Sequence, residues 1–182
     1  MSDTLKPWQK WALYGAPFII FMAISAFLLK GLFIDPQHLP SARIGKEMPR
    51  FALADLLNPG VVLSEQDLKG TPALLNVWAT WCPACRQEHS ELNRLAQEEG
   101  VTLYGLNYKD EPEAARAYLE QLGNPYRYTL QDEEGRLGFD LGVYGAPETY
   151  VLDRDGKIHH RLVGIVTREK WLQELKPIMD RL

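Results

Sequence analysis

Cys82 and Cys85 are the only cysteines among 182 residues, and they stand three positions apart in Trp81-Cys82-Pro83-Ala84-Cys85. A pair so spaced can serve several chemistries. As a structural cross-link it does little, because a disulfide stabilises by restricting the unfolded chain and this pair closes almost the shortest loop available. As a metal site it would draw on Cys82, Cys85 and His89, offset by three and four residues, but a closed zinc site wants about four ligands and there is no second cysteine pair. Covalent haem attachment requires histidine directly after the second cysteine, where Arg86 stands. A dithiol cycling with its own disulfide needs only the pair, and the spacing favours that chemistry. Neither a metal nor any other cofactor is expected.

The pair is delivered by two elements. The apolar run from Ala73 to Ala79 predicts a buried strand, and the segment from Pro83 to Glu99 a helix. Pro83 takes the first helical position, Leu92, Leu95 and Ala96 share one face, and Gly100 stands just past the end. Cys82 is therefore expected beside unpaired backbone N–H groups and the positive end of the helix dipole. Both favour thiolate over thiol and bring its pKa below about 8.5. Cys85 lies one turn further in on the same face. Trp81 is apolar cover for the sulfur, and Arg86 is read as solvated.

The length accommodates one ordinary domain and an appendage. From Trp11 to Leu29 there is no charged residue over 19 positions. At about 1.5 Å per residue that run reaches about 28 Å, against a hydrocarbon core of about 30 Å. An uncleaved anchor is expected rather than a signal peptide, whose apolar core is usually shorter and is followed by a small-x-small cleavage site. Lys6 and Lys10 before the span give a bias toward an amino terminus inside. The expected organisation is a cytoplasmic tail over 1–10, an anchor over 11–30, a linker over 31–46 and a folded domain over 47–182. With 20 Lys and Arg against 24 Asp and Glu, the chain has no basic surplus to suggest nucleic acid. Two cysteines in all suit a domain outside the cytoplasm, where a stray thiol would mispair.

Through the domain, strand-like runs at 51–53 and 61–63 flank Asn58-Pro59-Gly60 and predict a hairpin. After the cysteine-bearing helix come a strand at 101–107 and a helix opened by a capping-box-like Asp110 and Glu113. Gly123-Asn124-Pro125 stops that helix. A strand at 126–130, a short helix at 137–141 and a hairpin of 149–152 with 158–163 follow. A last helix, about Arg168 to Met179, is capped by Thr167, buries Trp171, Leu172, Leu175 and Ile178, and is kinked by Pro177. Alternating strands and helices predict an α/β fold with a central mixed sheet, and the cysteines at the carboxyl end of a central strand, where open sheets of this class place their sites.

Trp-Cys-Pro-Ala-Cys after a buried strand, with Gly145-Ala146-Pro147-Glu148-Thr149 before another, resembles the thioredoxin superfamily. Gly142-Val143-Tyr144-Gly145-Ala146-Pro147-Glu148-Thr149 and Gly105-Leu106-Asn107-Tyr108-Lys109-Asp110 resemble, more narrowly, the membrane-anchored DsbE/CcmG thiol:disulfide interchange proteins of cytochrome c maturation. The resemblance covers roughly residues 40 to 180. It implies a thioredoxin-like fold with an N-terminal hairpin extension and a helix-strand insertion over about 110–130, preceded by one transmembrane helix. It implies Cys82 as attacking thiol, Cys85 as resolving thiol and Pro147 as a cis-proline that leaves the Ala146 backbone free for an extended client, with Tyr144, Ala146, Pro147 and Glu148 as the substrate-binding residues.

It further implies a single-pass protein of the bacterial inner membrane with its domain in the periplasm. There it would reduce apocytochrome c or a thioredoxin-like maturation partner for haem attachment, with electrons from a transmembrane thiol reductase. A general extracytoplasmic disulfide reductase with another client is the alternative, and a copper or zinc chaperone using the same cysteines is a further one. One departure stands out. Where thioredoxins carry a buried acid six residues before the first cysteine, this chain has Asn76, which takes no proton. The nearest replacement is Glu88, on the cysteine helix three residues past Cys85; a solvated glutamate is the competing reading.

Overall fold

The computed structural model describes residues 7–32 and 43–182, in two units within Met1–Leu39 and Pro40–Leu182. In the first, helix α1 runs from Pro7 to Leu32 with Pro17 inside it, and Phe18, Ile19, Ile20, Phe21 and Leu28 are exposed. The expected anchor at 11–30 thus falls on a helix. Among the described residues, however, no helix is long and apolar enough to cross a membrane. Of the expected tail, 1–6 lie outside the described residues, as do 33–42 of the expected linker.

The second unit is built on a five-stranded sheet ordered β5-β4-β3-β6-β7. Its strands are β3 Ala73–Trp78, β4 Thr102–Tyr108, β5 Tyr128–Asp132, β6 Glu148–Leu152 and β7 Ile158–Val163. β3, β4 and β5 run parallel, β6 pairs antiparallel with β3, and β7 antiparallel with β6. β3 is the middle strand and all six of its residues are buried, which is why it reads as an apolar run broken only at Asn76 rather than as an alternating one. Successive side chains still go to opposite faces. Leu74 and Trp78 join Leu92 and Leu95 of helix α2, Pro83–Glu98, with Tyr118 of helix α3, Pro112–Leu122. Leu75 and Val77 join Leu137 and Leu141 of the short helix α4, Arg136–Leu141, on the other face.

The hairpin expected before the main strand exists but is small: β1 Leu53–Ala54 pairs antiparallel with β2 Val62–Leu63 as a separate sheet. The stretch expected as an insertion supplies α3 and the edge strand β5, parallel to β4. Two local expectations are corrected. Asp110 and Glu113 form no capping box; α3 begins at Pro112 with Glu111 as an N-cap that makes no side-chain bond, because the Asp110 carboxylate is engaged elsewhere. The last helix is not one regular helix either. Thr167 caps the Arg168–Lys170 turn (α5), a wide-turn segment follows over Trp171–Leu175, and α6 spans Lys176–Met179. The N–H of Lys176 reaches the Trp171 carbonyl, five residues back, just before Pro177, which has no N–H to continue the ladder. Trp171 and Leu175 are buried in this arrangement, whereas Leu172 points outward.

Candidate active site

β3 ends at Trp78, and four residues later Cys82 becomes the N-cap of α2, with Pro83 in the first turn. Cys82 and Cys85 are joined as a disulfide, S–S 2.09 Å. The Cys85 N–H donates to Cys82 Sγ at 3.0 Å, so the sulfur of the first cysteine occupies the place of a capping oxygen. A thiolate at that atom would keep this donor as a charge-assisted bond, together with the helix dipole. In the disulfide both cysteines are almost fully covered, so burial does not distinguish them; they differ in their position on the helix.

The loop carrying the pair is held from outside by the junction between β4 and α3. The Asp110 carboxylate accepts from the Thr80 N–H and the Thr80 hydroxyl, both at 2.6 Å, from Asn107 Nδ2 at 2.9 Å and from the Glu111 N–H at 3.0 Å. One residue earlier Lys109 takes a left-handed backbone, φ 49°, and its carbonyl accepts from Trp81 Nε1 at 2.9 Å. Trp81 is half-exposed beside the disulfide, consistent with apolar cover but anchored by its N–H. Nothing in the sequence pattern announced Asp110 as a tether, because an acid before Pro112 reads equally well as a helix cap.

Beneath the pair lies a buried polar group. Glu88 is 1% exposed, one turn past Cys85 on the same face of α2, so the solvated reading fails. Its Oε1 accepts from Asn76 Nδ2 at 2.8 Å and its Oε2 from the Val166 N–H at 2.7 Å. Burial pushes its pKa up to about 7, opposed by these two donors and by the Lys170 charge. Asn76, six residues before Cys82, thus donates to the Glu88 carboxyl. Its other contacts are Thr149 Oγ1 at 3.0 Å and the hydroxyl of Tyr126, which donates to Asn76 Oδ1 at 2.8 Å. Tyr126 had no distinguishing sequence signal.

On the other side, Ala146-Pro147 is a cis peptide bond, as the resemblance implied. Tyr144 is exposed, with the Arg161 guanidinium 5.2 Å from its ring centroid. Glu148 is not on the surface. Its carboxylate takes two bonds from Arg161 at 2.7 Å, one from Tyr150 at 2.9 Å and one from the Tyr144 N–H at 3.0 Å. Fully satisfied from within, it shapes the turn that presents Tyr144 and Ala146 and has no lone pair aimed at a client. His89, the third member of the metal alternative, is buried and its Nε2 lies 2.7 Å from the Gly123 carbonyl. That bond faces it toward α3, and among the described residues no group of three or more Cys, His, Asp or Glu is placed to hold a metal.

A cysteine pair at the start of a helix, leaving the carboxyl end of the middle strand of a mixed sheet, over a buried acid, defines a thioredoxin-like thiol:disulfide oxidoreductase. The redoxin family profile matches residues 43–176. The thiol:disulfide interchange protein DsbE of Pseudomonas aeruginosa is 51% identical over 174 residues, 96% of each chain. DsbE of Escherichia coli strain K12 is 48% identical over 171 residues, 91% of this chain and 92% of its own. A solved structure described as a putative thiol:disulfide interchange protein DsbE from Chlorobium tepidum matches with a TM-score of 0.63 at 26% identity, covering 77% of this chain and 96% of its own. The chain belongs to the redoxin family and, within it, to the DsbE-type thiol:disulfide interchange proteins.

Proposed function

We propose that the protein reduces disulfides of apocytochrome c, or of a thioredoxin-like partner in its maturation, so that haem can be attached. The uncharged run from Trp11 to Leu29 associates it with the bacterial inner membrane, the redox domain lies in the periplasm, and a transmembrane thiol reductase returns electrons to Cys82–Cys85. The observation that carries this reading is the cysteine pair set over buried Glu88, in a chain about half identical to DsbE proteins. The exposed apolar residues of the run from Trp11 to Leu29, with Lys6 and Lys10 before that run, support this placement and its orientation.

The exchange runs in two displacements. Cys82 thiolate attacks one sulfur of the client disulfide, forming a mixed disulfide and releasing the client's other sulfur as thiolate. Cys85 then gives its proton to Glu88 and attacks Cys82 Sγ, closing the Cys82–Cys85 disulfide and releasing the client's second sulfur. The client gains two electrons and takes up two protons. Glu88 suits the proton step because a group titrating near 7 both accepts and returns a proton at ambient pH.

The test is capture. Cys85→Ser lacks the resolving thiol and should hold a peptide bearing an oxidised Cys-x-x-Cys-His haem-attachment sequence as a mixed disulfide, faster than a disulfide peptide of unrelated sequence. In cells, the trapped species should be an apocytochrome c or a maturation protein. Equal capture of both peptides, with trapped clients unconnected to haem attachment, would replace this reading with a general disulfide reductase.

A further inference from the structure

The acid under the cysteines is bonded to a side chain that is itself held by the inserted segment. Thr149, Asn76, Gly105 and Thr129 are register partners on β6, β3, β4 and β5, so they form one row across the sheet. In that row Gly105 leaves a gap: a Cβ there would lie 2.8 Å from Trp78 Nε1 and 3.1 Å from Tyr126 Cδ2. The Tyr126 ring fills the space, stacked on Trp78 with centroids 5.8 Å apart, while Tyr118 of α3 stacks on Trp78 at 5.2 Å. Asn124 Oδ1 accepts the Tyr126 N–H at 3.0 Å and fixes the turn that aims the ring inward.

The consequence lies at the Asn76 amide, which has an acceptor end and a donor end. The Tyr126 hydroxyl donates to Oδ1 and has no other acceptor among the described residues, so a turned amide would leave that buried O–H unpaired; Nδ2 is thereby left to face Glu88 and Thr149. Held that way, Asn76 can only donate to the Glu88 carboxyl, which favours its ionised form. Freed, it could turn Oδ1 toward Glu88 and accept the proton of the neutral acid instead. We propose that Tyr126 is a positioning residue for Glu88: by fixing the Asn76 amide, the segment between α3 and β5 sets how tightly the acid beneath the cysteines keeps its proton.

Other groups facing Glu88 do not substitute for this contact. Lys170 acts on it through charge, and Val166 through a main-chain N–H; Arg86 and His89 belong to α2 itself, His89 being turned to Gly123. Tyr118 lies in the same stack as Tyr126, but its hydroxyl has no hydrogen-bond partner among the described residues. It is therefore the natural control. The inference rests on the proton-acceptor role given to Glu88 above. Failure of that role would appear as an unchanged mixed-disulfide lifetime in Glu88→Gln, while the Glu88 titration itself remained readable.

The experiment follows the protonated-carboxyl infrared band of Glu88, assigned by its loss in Glu88→Gln, against pH in the oxidised full chain. Tyr126→Phe keeps the ring on Trp78 and removes only the hydroxyl. Its Glu88 titration should move up by about 0.5–1 pH unit, a fraction of one hydrogen bond to a charged group. Tyr118→Phe should leave it in place. Asn76→Ala should move it up as well, and adding Tyr126→Phe to Asn76→Ala should move it no further. An unchanged titration in Tyr126→Phe, an equal shift in Tyr118→Phe, or additive shifts in the double variant would overturn the proposal.

Discussion

The burial that raises the Glu88 pKa also makes the stability of the protein depend on pH. The folded pKa of Glu88, about 7, stands above an unfolded value near 4.5 because burial disfavours the anion. A group raised in this way contributes its full stability below the unfolded value, and that contribution is lost as pH rises through the folded value. Glu88→Gln removes the dependence. Urea unfolding at pH 4.5 and 8 should show the parent losing stability relative to the variant by up to about 3 kcal/mol across that interval. The mixed disulfide formed by the same variant should be released more slowly. Parallel pH profiles and an unchanged lifetime would make Glu88 a bystander. Sequence named this residue as the nearest candidate, since Asn76 stands where thioredoxins carry an acid, and its burial removes the solvated reading. Sequence could not show burial, because one glutamate on an amphipathic helix looks like any other until the chain at Val166 closes over it.

Among the elements, the junction of β4 and α3 does most to hold the redox loop. Asp110 accepts four hydrogen bonds there, two of them from Thr80, and the left-handed Lys109 turns its carbonyl to Trp81. Asp110→Ala leaves the Thr80 N–H without its acceptor, and a stability loss of about 1–3 kcal/mol is expected, with less for Asp110→Asn, which keeps one oxygen. Denaturant unfolding gives the loss, and reduction of a model disulfide should slow with it as the Cys82 loop loosens. Stability and rate both at the parent's level in Asp110→Ala would contradict the tether. The elements themselves were legible from periodicity: β3 from its apolar run, α2 from Pro83 and its buried face, β6 and β7 from Asp153-Arg154-Asp155-Gly156 between them. The capping box was misread because Asp110 has two possible employers, its own helix or a loop thirty residues earlier in the chain, and only tertiary contact decides. The wide turn at Trp171–Leu175 was half legible, since Pro177 foretells an interruption without saying that the helix widens rather than bends.

Across the molecule, the architecture brings three distant segments to one end of the sheet: the cysteine loop, the cis-Pro147 turn and the chain at Val166 over Glu88. The α/β class followed from the order of elements, which is set by local pattern, whereas the thioredoxin-like arrangement was implied by the resemblance carried by Trp81–Cys85 and Gly145–Thr149. The network of Tyr126, Asn76 and Glu88 did not, because its members come from three segments with no common spacing. Glu148 likewise reads as part of a client-facing motif, yet its near-complete burial against Arg161 gives it an internal task. The roles proposed for the cysteines, Cys82 attacking and Cys85 resolving, are read out by mapping the mixed disulfide. Cys82→Ser and Cys85→Ser, each reduced, mixed with an oxidised disulfide peptide, quenched in acid and digested for mass spectrometry, report which sulfur carries the adduct. Rapid accumulation through Cys82 is expected in Cys85→Ser, and little adduct in Cys82→Ser. Comparable adduct through Cys85 in Cys82→Ser would contradict these roles.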